Sequence, residues 1–132
     1  MDQSASERMA NLRRAARVVE QALGWEMPVM VEPLVLGDSY DYADKSQLLA
    51  ESRAANEMGA DVLKIGYPGS WDMVADWACR CPVPLVLLSR GSVKSADLIL
   101  DYVRRALDAG VRGVVMGRNV WQRPLTEGHD LL

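Results

Sequence analysis

Apolar residues along the chain follow two alternating patterns, one with the spacing of an amphipathic helix and one with the continuity of a buried strand. Helical spacing is found at residues 4–23, 45–58, 70–79 and 95–109. Short aliphatic runs lie between and after them, at residues 28–32, 60–67, 83–88 and 113–116. Strands that alternate with helices in this way predict an α/β fold with a parallel sheet and right-handed crossovers.

The ends of these segments carry residue types that begin and end helices. Ser70 and Ser95 stand where a side-chain oxygen can cap the first turn of the helix that follows. Gly59 and Gly110 follow the last residues of two helices and predict C-terminal stops. Pro68-Gly69 ends the second strand through a turn.

Lys64 stands in the middle of the second aliphatic run. Burying an ammonium group is costly and lowers the pKa of a lysine, so lysines are rarely buried without a partner or a chemical role. A desolvated lysine is the group that forms Schiff bases with carbonyl substrates. The alternative is structural: Lys64 extends to solvent at the strand end, or pairs with Asp61 or Glu32.

Polar residues collect at the C-terminal ends of the predicted strands. Glu32, Lys64 and Ser89 lie at or just beyond three of these ends, and Gly117-Arg118-Asn119 follows the fourth. Both barrel and doubly wound α/β proteins assemble their sites at this edge. Each residue also has a structural interpretation, with Glu32 as the partner of a helix or an arginine, Ser89 as a turn residue and Arg118 as a surface charge. The coincidence of the four positions favours a functional site.

Two of these strand ends continue into turns with the composition of phosphate-binding turns. Ser89-Arg90-Gly91-Ser92 and Gly117-Arg118-Asn119 each combine backbone N–H groups at a strand-to-helix junction with a cationic side chain. There is no G-x-G-x-x-G motif and no Walker sequence, which disfavours a dinucleotide or a nucleoside triphosphate. A lysine strand followed by two such turns is more specific than either turn alone.

Composition limits the possible partners. The 132 residues amount to a single domain, 1–132, with an apolar fraction of 49% and a charged fraction of 25%. A formal net charge of -3 argues against a nucleic-acid-binding surface. No apolar run approaches the length of a membrane span, and the N-terminus lacks a signal-peptide pattern. We therefore expect a cytoplasmic protein with neither nucleic acid nor membrane as partner.

The cysteines predict no metal site. Cys79 and Cys81, together with the single His129, cannot supply the four ligands of a structural zinc ion. We expect two reduced thiols on or just after a helix, no bound metal and no organic cofactor.

Three segments resemble a known enzyme family. They are residues 60–67, 83–89 and 109–122, and the last contains G-R-N-x-W-Q directly after a buried strand, which is the most specific of the motifs. From about residue 12 to residue 123 the chain is similar to archaeal-type class I fructose-bisphosphate aldolases and to their deoxyribose-phosphate and tagatose-bisphosphate aldolase relatives. The resemblance implies a parallel (β/α) half barrel that corresponds to strands five to eight of a TIM barrel.

The resemblance also implies two catalytic residues. Lys64, on the sixth barrel strand, would form the Schiff base with a ketose or with dihydroxyacetone phosphate. The fructose-bisphosphate members carry a tyrosine acid/base on strand five, where this sequence has Glu32-Pro33-Leu34. A carboxylate near a barrel lysine is able to transfer protons, so we infer that Glu32 takes over this role.

The phosphate site implied by the resemblance draws on both turns. Ser89, Arg90 and Gly91 would belong to the turn after strand seven, with Arg90 in place of a second glycine that is usual there. Gly117 and Arg118 would belong to the turn after strand eight.

A complete barrel needs about 250 residues, so this chain accounts for one half of it. A lone half leaves two sheet edges open and turns the inward residues around Val31, Leu63, Leu87 and Val115 toward water. We therefore expect a homo-oligomer, or a missing N-terminal half barrel that completes the fold.

Three functions remain open at this stage. The favoured one is a class I aldolase that cleaves or forms a carbon-carbon bond in a phosphorylated ketose such as fructose 1,6-bisphosphate. The second is a non-catalytic or truncated half barrel that keeps only the phosphate site. The third is a sugar-phosphate isomerase in which Lys64 is merely an electrostatic partner.

Overall fold

Helices and strands alternate along the chain, as the sequence pattern predicts. A computed structural model describes residues 5–34, 45–89 and 95–131. The helices of these residues are α1 (Ala5–Leu23), α2 (Lys45–Glu57), α3 (Trp71–Arg80), α4 (Ala96–Asp108), α5 (Arg118–Trp121) and α6 (Leu125–His129). The strands are β1 (Met30–Val31), β2 (Val62–Gly66), β3 (Leu85–Leu88) and β4 (Gly113–Val115).

The strands form a parallel sheet in the order β1-β2-β3-β4. In β1 and β2 the paired residues include Met30 and Val62, and in β3 and β4 they include Val86 and Gly113. Parallel neighbours that follow one another along the chain need a crossover connection, and α2, α3 and α4 stand at these positions. The predicted parallel α/β fold is confirmed.

The chain divides into two compact units, Met1–Leu63 and Lys64–Leu132. In the first unit the side chains of Arg8 on α1 and Glu51 on α2 form a salt bridge of 2.7 Å. No residue of α1 is fully buried, so the predicted helix forms while its apolar face stays partly in water. The core residues of this unit include Leu48, Ser52, Ala55, Ala60 and Leu63.

In the second unit, α3 contacts α4, and α4 contacts β4. Along β3, Leu85 and Leu87 are buried whereas Val86 and Leu88 are only partly buried. Because successive side chains of a strand point to opposite faces, one face of β3 is packed and the other is incompletely covered. The core residues of this unit include Ile65, Val74, Trp77, Leu85, Leu87, Ile99, Ala106 and Val111.

Two residues that we expected to face water are buried. Leu63 is 2% exposed and Leu87 is fully buried. Both therefore lie on the packed face of their strands, and the expectation that an isolated half would expose them was wrong. Val31 and Val115 remain partly exposed.

The predicted helix ends are confirmed at four residues. Gly59 and Gly110 adopt positive φ angles of 96° and 92°, the left-handed conformation of a helix C-terminal stop. Ser95 accepts a hydrogen bond from the backbone N–H of Leu98 as the N-cap of α4. Ser70 is the N-cap of α3 by its extended backbone, without a side-chain hydrogen bond.

Other element boundaries differ from the prediction for local reasons. β3 begins at Leu85 and not at residue 83, because Pro84 has no N–H to donate to a strand ladder. The helices α5 and α6 were not predicted, since segments of four and five residues are too short to display a helical period.

The thiols of Cys79 and Cys81 are free, on α3 and at its C-terminal cap respectively, which agrees with the predicted placement. Among the described residues, no group of three or more His, Cys, Asp and Glu side chains is arranged to hold a metal ion. The helices of residues 5–34, 45–89 and 95–131 include none that is both long and apolar enough to cross a membrane.

Candidate active site

Lys64 occupies the centre of β2, between two of the most buried side chains of the protein. Leu63 is 2% exposed and Ile65 is fully buried, whereas Lys64 itself is partly exposed. Because side chains alternate along a strand, Lys64 lies on the face opposite to its two buried neighbours. Lys64 is thus neither sealed in the core nor an ordinary surface lysine.

Asp61, one partner considered for Lys64, is engaged elsewhere. Its carboxylate accepts a hydrogen bond of 2.7 Å from the backbone N–H of Val29, and its own N–H donates to the carbonyl of Val29 at 2.9 Å. These two bonds tie the start of β2 to the residue before β1. The role of Asp61 is therefore to fix the pairing of the strands.

Glu32, the second residue predicted to be catalytic, directly follows β1 and is half-buried. The next residue, Pro33, is buried, so the chain that leaves β1 is packed and not splayed into solvent. The position of Glu32 just beyond a strand end agrees with the sequence analysis. Its part in proton transfer stays a prediction.

Ser89 directly follows β3 and makes one hydrogen bond to the end of β4 and one to α5. Its backbone N–H donates to the carbonyl of Val115 at 3.1 Å, and its hydroxyl oxygen accepts a hydrogen bond from Nδ2 of Asn119. The two predicted phosphate turns therefore begin side by side. Arg90 and Gly91, which were predicted to bind phosphate with Ser89, lie outside the described residues.

Gly117 and Arg118 begin the turn that follows β4. A Cβ atom on Gly117 would lie 2.9 Å from Cζ2 and 3.0 Å from Cζ3 of Trp121, closer than side chains pack, so the indole ring lies against the glycine. Trp121 is nevertheless 72% exposed. Arg118 is the first residue of α5 and is exposed, so its guanidinium group is accessible to an anion from solvent.

The structure gives a specific contact to Asn119, which the sequence analysis placed in the Gly117-Arg118-Asn119 turn without a role of its own. Asn119 is 2% exposed, and buried polar groups are nearly always hydrogen-bonded. Its side chain donates to Ser89, and its backbone carbonyl accepts a hydrogen bond of 2.8 Å from Nε of Arg123. An asparagine directly after two candidate phosphate residues in G-R-N-x-W-Q was the available signal.

Three aromatic rings lie beside the ends of β2 and β3. The ring of Tyr67, which follows β2, is 4.6 Å from the ring of Trp71 between centroids. Tyr102 on α4 contacts both, with centroid distances of 6.3 Å to Tyr67 and 5.5 Å to Trp71. Its hydroxyl donates a hydrogen bond of 3.0 Å to the carbonyl of Leu88, which fastens the residue before Ser89 to α4.

The second unit thus combines an amine on a strand face with donor groups at strand ends. The amine of a lysine can condense with a carbonyl group, as Lys64 would require. Hydroxyl and guanidinium groups, here of Ser89 and Arg118, donate hydrogen bonds to anionic oxygens. These are the group types that a phosphorylated carbonyl compound needs.

A comparison with protein families finds a match over nearly the whole chain. Residues 1–123 match the model of the DeoC/LacD family aldolases.

Similar curated proteins are longer than this chain. The chain is 35% identical over 105 residues to the fructose-bisphosphate aldolase class 1 of Halobacterium salinarum, a match that covers 79% of this chain and 40% of that protein. It is 34% identical over 110 residues to the 2-amino-4,5-dihydroxy-6-oxo-7-(phosphonooxy)heptanoate synthase of Streptomyces griseus, covering 83% of this chain and 40% of that protein. The chain thus spans less than half the length of these relatives.

Solved structures agree with the predicted half barrel. An archaeal fructose 1,6-bisphosphate aldolase matches with a TM-score of 0.76 and 27% identity, over 91% of this chain and 49% of that chain. A Schiff base forming fructose-1,6-bisphosphate aldolase, solved for the analysis of its reaction intermediates, matches with a TM-score of 0.75 and 30% identity, over 91% and 50%. The four-stranded sheet is therefore similar to one half of a TIM-barrel aldolase.

Proposed function

The chain belongs to the DeoC/LacD aldolase family, and on this premise we propose that it provides the Schiff-base half of a class I aldolase for a phosphorylated ketose. The observation that carries the proposal is the placement of Lys64 in the middle of β2, on the face opposite to Leu63 and Ile65. An amine held by a rigid strand is pre-positioned, which lowers the entropic cost of reaching the carbonyl carbon. Fructose 1,6-bisphosphate is the substrate we propose to test first.

Lys64 would act as the nucleophile. Its neutral amine adds to the ketose carbonyl to give a carbinolamine, which loses water to form an iminium ion. The iminium then accepts the electron pair of the carbon-carbon bond next to it, so the aldehyde leaves and an enamine remains. Protonation of the enamine carbon and hydrolysis release the ketone and restore the amine.

Proton transfer in these steps needs an acid/base group. We assign this role to Glu32, whose half-buried carboxylate follows β1 at the end where the resemblance to the family places strand-five chemistry. A carboxylate takes a proton from the aldehyde-forming hydroxyl in the cleavage direction and returns one in the condensation direction. In this assignment Glu32 takes the place of the tyrosine of the fructose-bisphosphate aldolases.

The phosphate group would be held by Ser89, Arg90, Gly91, Gly117 and Arg118. The contacts of Ser89 with Val115 and Asn119 support this, because they bring the two turns together in one unit. The exposed guanidinium of Arg118 supplies a positive charge. Gly117 has no side chain of its own, and the indole ring of Trp121 lies against it. Arg90 and Gly91 enter this proposal through the sequence alone.

The chain spans about 40% of its curated relatives and half of the solved aldolase chains. In the proposed enzyme, a second copy of this chain or an N-terminal half barrel would complete the barrel. The same observation favours a second candidate function, a phosphate-binding half barrel that has no catalytic activity. Both candidates keep the turns, and only the first uses Lys64 as a nucleophile.

Borohydride trapping separates the two candidates. The full chain is incubated with dihydroxyacetone phosphate or fructose 1,6-bisphosphate, reduced, digested and analysed by mass spectrometry. A class I aldolase gains the mass of the reduced ketose phosphate on the peptide that contains Lys64. Phosphate binding with no adduct on that peptide would instead establish the non-catalytic half barrel.

A further inference from the structure

The side chain of Asn119 connects the two turns that we propose to hold the phosphate. Asn119 and Ser89 are thirty positions apart in the sequence, and the carboxamide nitrogen of Asn119 donates a hydrogen bond to the hydroxyl oxygen of Ser89. Asn119 is 2% exposed, so water does not compete freely for this donor. The contact therefore constrains how the Ser89 hydroxyl is oriented.

Ser89 has only one donor left for a ligand. Its backbone N–H is already used, because it donates to the carbonyl of Val115 at 3.1 Å. A serine hydroxyl has one proton to donate and two lone pairs that accept. The hydrogen bond from Asn119 occupies a lone pair, so the proton of the hydroxyl must point to a different acceptor.

The oxygens of a phosphate group at neutral pH are predominantly acceptors, so a ligand of this kind needs donors from the protein. A free serine hydroxyl rotates and presents either a lone pair or its proton. Because a lone pair of the Ser89 hydroxyl accepts the hydrogen bond from Asn119, the rotation of the hydroxyl is already restricted before the anion binds. Binding is then stronger because less rotational freedom is lost when the complex forms.

The backbone of Asn119 is held in place from the opposite side. Nε of Arg123 donates a hydrogen bond of 2.8 Å to the carbonyl of Asn119, and the side chain of Arg123 is only 10% exposed. Glu127 on α6 lies 3.8 Å from a terminal nitrogen of the same guanidinium. The short helices α5 and α6 thus fix the residue that orients Ser89.

We infer that Asn119 is a positioning residue, which turns the hydroxyl of Ser89 into a committed donor for a phosphate oxygen. The inference rests on the proposed phosphate site and adds that the hydroxyl of Ser89 acts there as a hydrogen-bond donor. Asn119 itself need not touch the ligand, because it acts through Ser89.

The test is a double-mutant cycle that measures the binding of inorganic phosphate to the full chain by calorimetry. In N119D the carboxylate replaces the amide at nearly constant volume and accepts the Ser89 proton, which reverses the hydrogen bond. In N119L an apolar group of similar size removes the donor without adding charge. S89A, S89A/N119D and S89A/N119L complete the set, and circular dichroism with urea unfolding shows which variants are folded.

We expect N119D to weaken phosphate binding by about tenfold or more, in line with the loss of a hydrogen bond to a charged group. We expect N119L to weaken it by a smaller factor, because the hydroxyl is then unoriented but still able to donate. In the S89A background, N119L should change the dissociation constant by less than about twofold, since its effect requires the hydroxyl. If N119L does not fold, N119D serves the same purpose. Its loss of phosphate affinity should then be larger in the presence of the Ser89 hydroxyl than in the S89A background.

Equal losses with and without the Ser89 hydroxyl would overturn the inference, because they would show that Asn119 acts through general structure. Wild-type affinity for phosphate in both Asn119 variants, or no phosphate binding by the wild-type chain, would overturn it as well. The outcome is independent of the trapping experiment, since inorganic phosphate has no carbonyl and needs no lysine.

Discussion

The hydroxyl of Tyr102 on α4 donates a hydrogen bond of 3.0 Å to the carbonyl oxygen of Leu88, the last residue of β3. The next residue is Ser89, which belongs to the proposed phosphate site. The bond therefore links α4 to the end of β3, directly before Ser89. The rings of Tyr67 and Trp71 lie against Tyr102 and keep its phenol in place.

Tyr102→Phe is expected to lower the free energy of unfolding by about 0.5–1.5 kcal/mol, because it removes one partly buried hydrogen bond and keeps the ring. Tyr67→Phe is the matched control: Tyr67 belongs to the same cluster, and its hydroxyl makes no hydrogen bond to the residues that the structure describes. Urea unfolding of both variants measures the difference. Equal losses of stability would show that the bond to Leu88 contributes nothing beyond the removal of a phenol hydroxyl.

Lys64→Arg is expected to abolish the borohydride-trapped adduct and to leave the chain folded. Guanidinium keeps the positive charge and the partly exposed position, but it is not a usable nucleophile. Lys45→Arg is the control, since Lys45 is an exposed residue at the start of α2. Trapping that persists in Lys64→Arg, or disappears in Lys45→Arg, would contradict the assignment of Lys64.

Arg118→Ala is expected to weaken the binding of phosphorylated ligands by about 1.5–3 kcal/mol, the range for hydrogen bonds to charged groups. Unphosphorylated analogues should bind almost as before, because they lack the anion that the guanidinium contacts. Arg112→Ala is the matched control: Arg112 is also exposed, and it precedes β4 where Arg118 follows it. If Arg118→Ala weakens both classes of ligand equally, the turn after β4 is not a phosphate site.

Gly110→Ala is expected to destabilise the fold by about 1 kcal/mol or more, because the φ of 92° at this residue is unfavourable for any residue with a Cβ. The space around Gly110 is adequate, with the Cβ of Ala78 at 3.5 Å, so the cost is one of backbone conformation. Gly113→Ala is the control, since its φ is not positive and its added Cβ would meet Val86 at 3.9 Å. Similar stabilities for the two variants in thermal unfolding would argue against a conformational role of Gly110.

The sequence predicted the elements that depend on neighbouring residues. The stops at Gly59 and Gly110 and the caps at Ser70 and Ser95 were all placed correctly, because each depends on the local backbone alone. The position of Lys64 inside a strand followed in the same way, from the aliphatic residues on both sides of it.

Features that depend on residues distant in the sequence could not be predicted from it. The bond from Asn119 to Ser89 joins residues that become neighbours only when β3 and β4 pair, so the G-R-N-x-W-Q motif marks Asn119 but not its partner. The burial of Leu63 and Leu87 was assigned to the wrong face, since periodicity shows that two residues alternate but not which side a helix covers.

The edge of the first unit predicts self-association. β1 is an edge strand of the sheet, and the residues around it expose large apolar side chains, with Trp25 81%, Met27 63% and Met30 50% exposed. An exposed apolar edge strand is a template for pairing with another chain. Burying such side chains contributes about 1.5–3 kcal/mol each, so a few of them offset the entropy lost on association.

We therefore expect sedimentation velocity at micromolar concentration to show a dimer or a larger assembly. The double variant Met27→Glu/Met30→Glu should shift the chain toward monomer, because it places two like charges at the pairing edge. Leu98→Glu/Leu100→Glu is the control, since these residues of α4 are exposed to a similar extent, at 63% and 49%. A wild-type monomer with a sharp unfolding transition would contradict the prediction. It would mean that the edge at β1 is stable in water without a second copy of the chain.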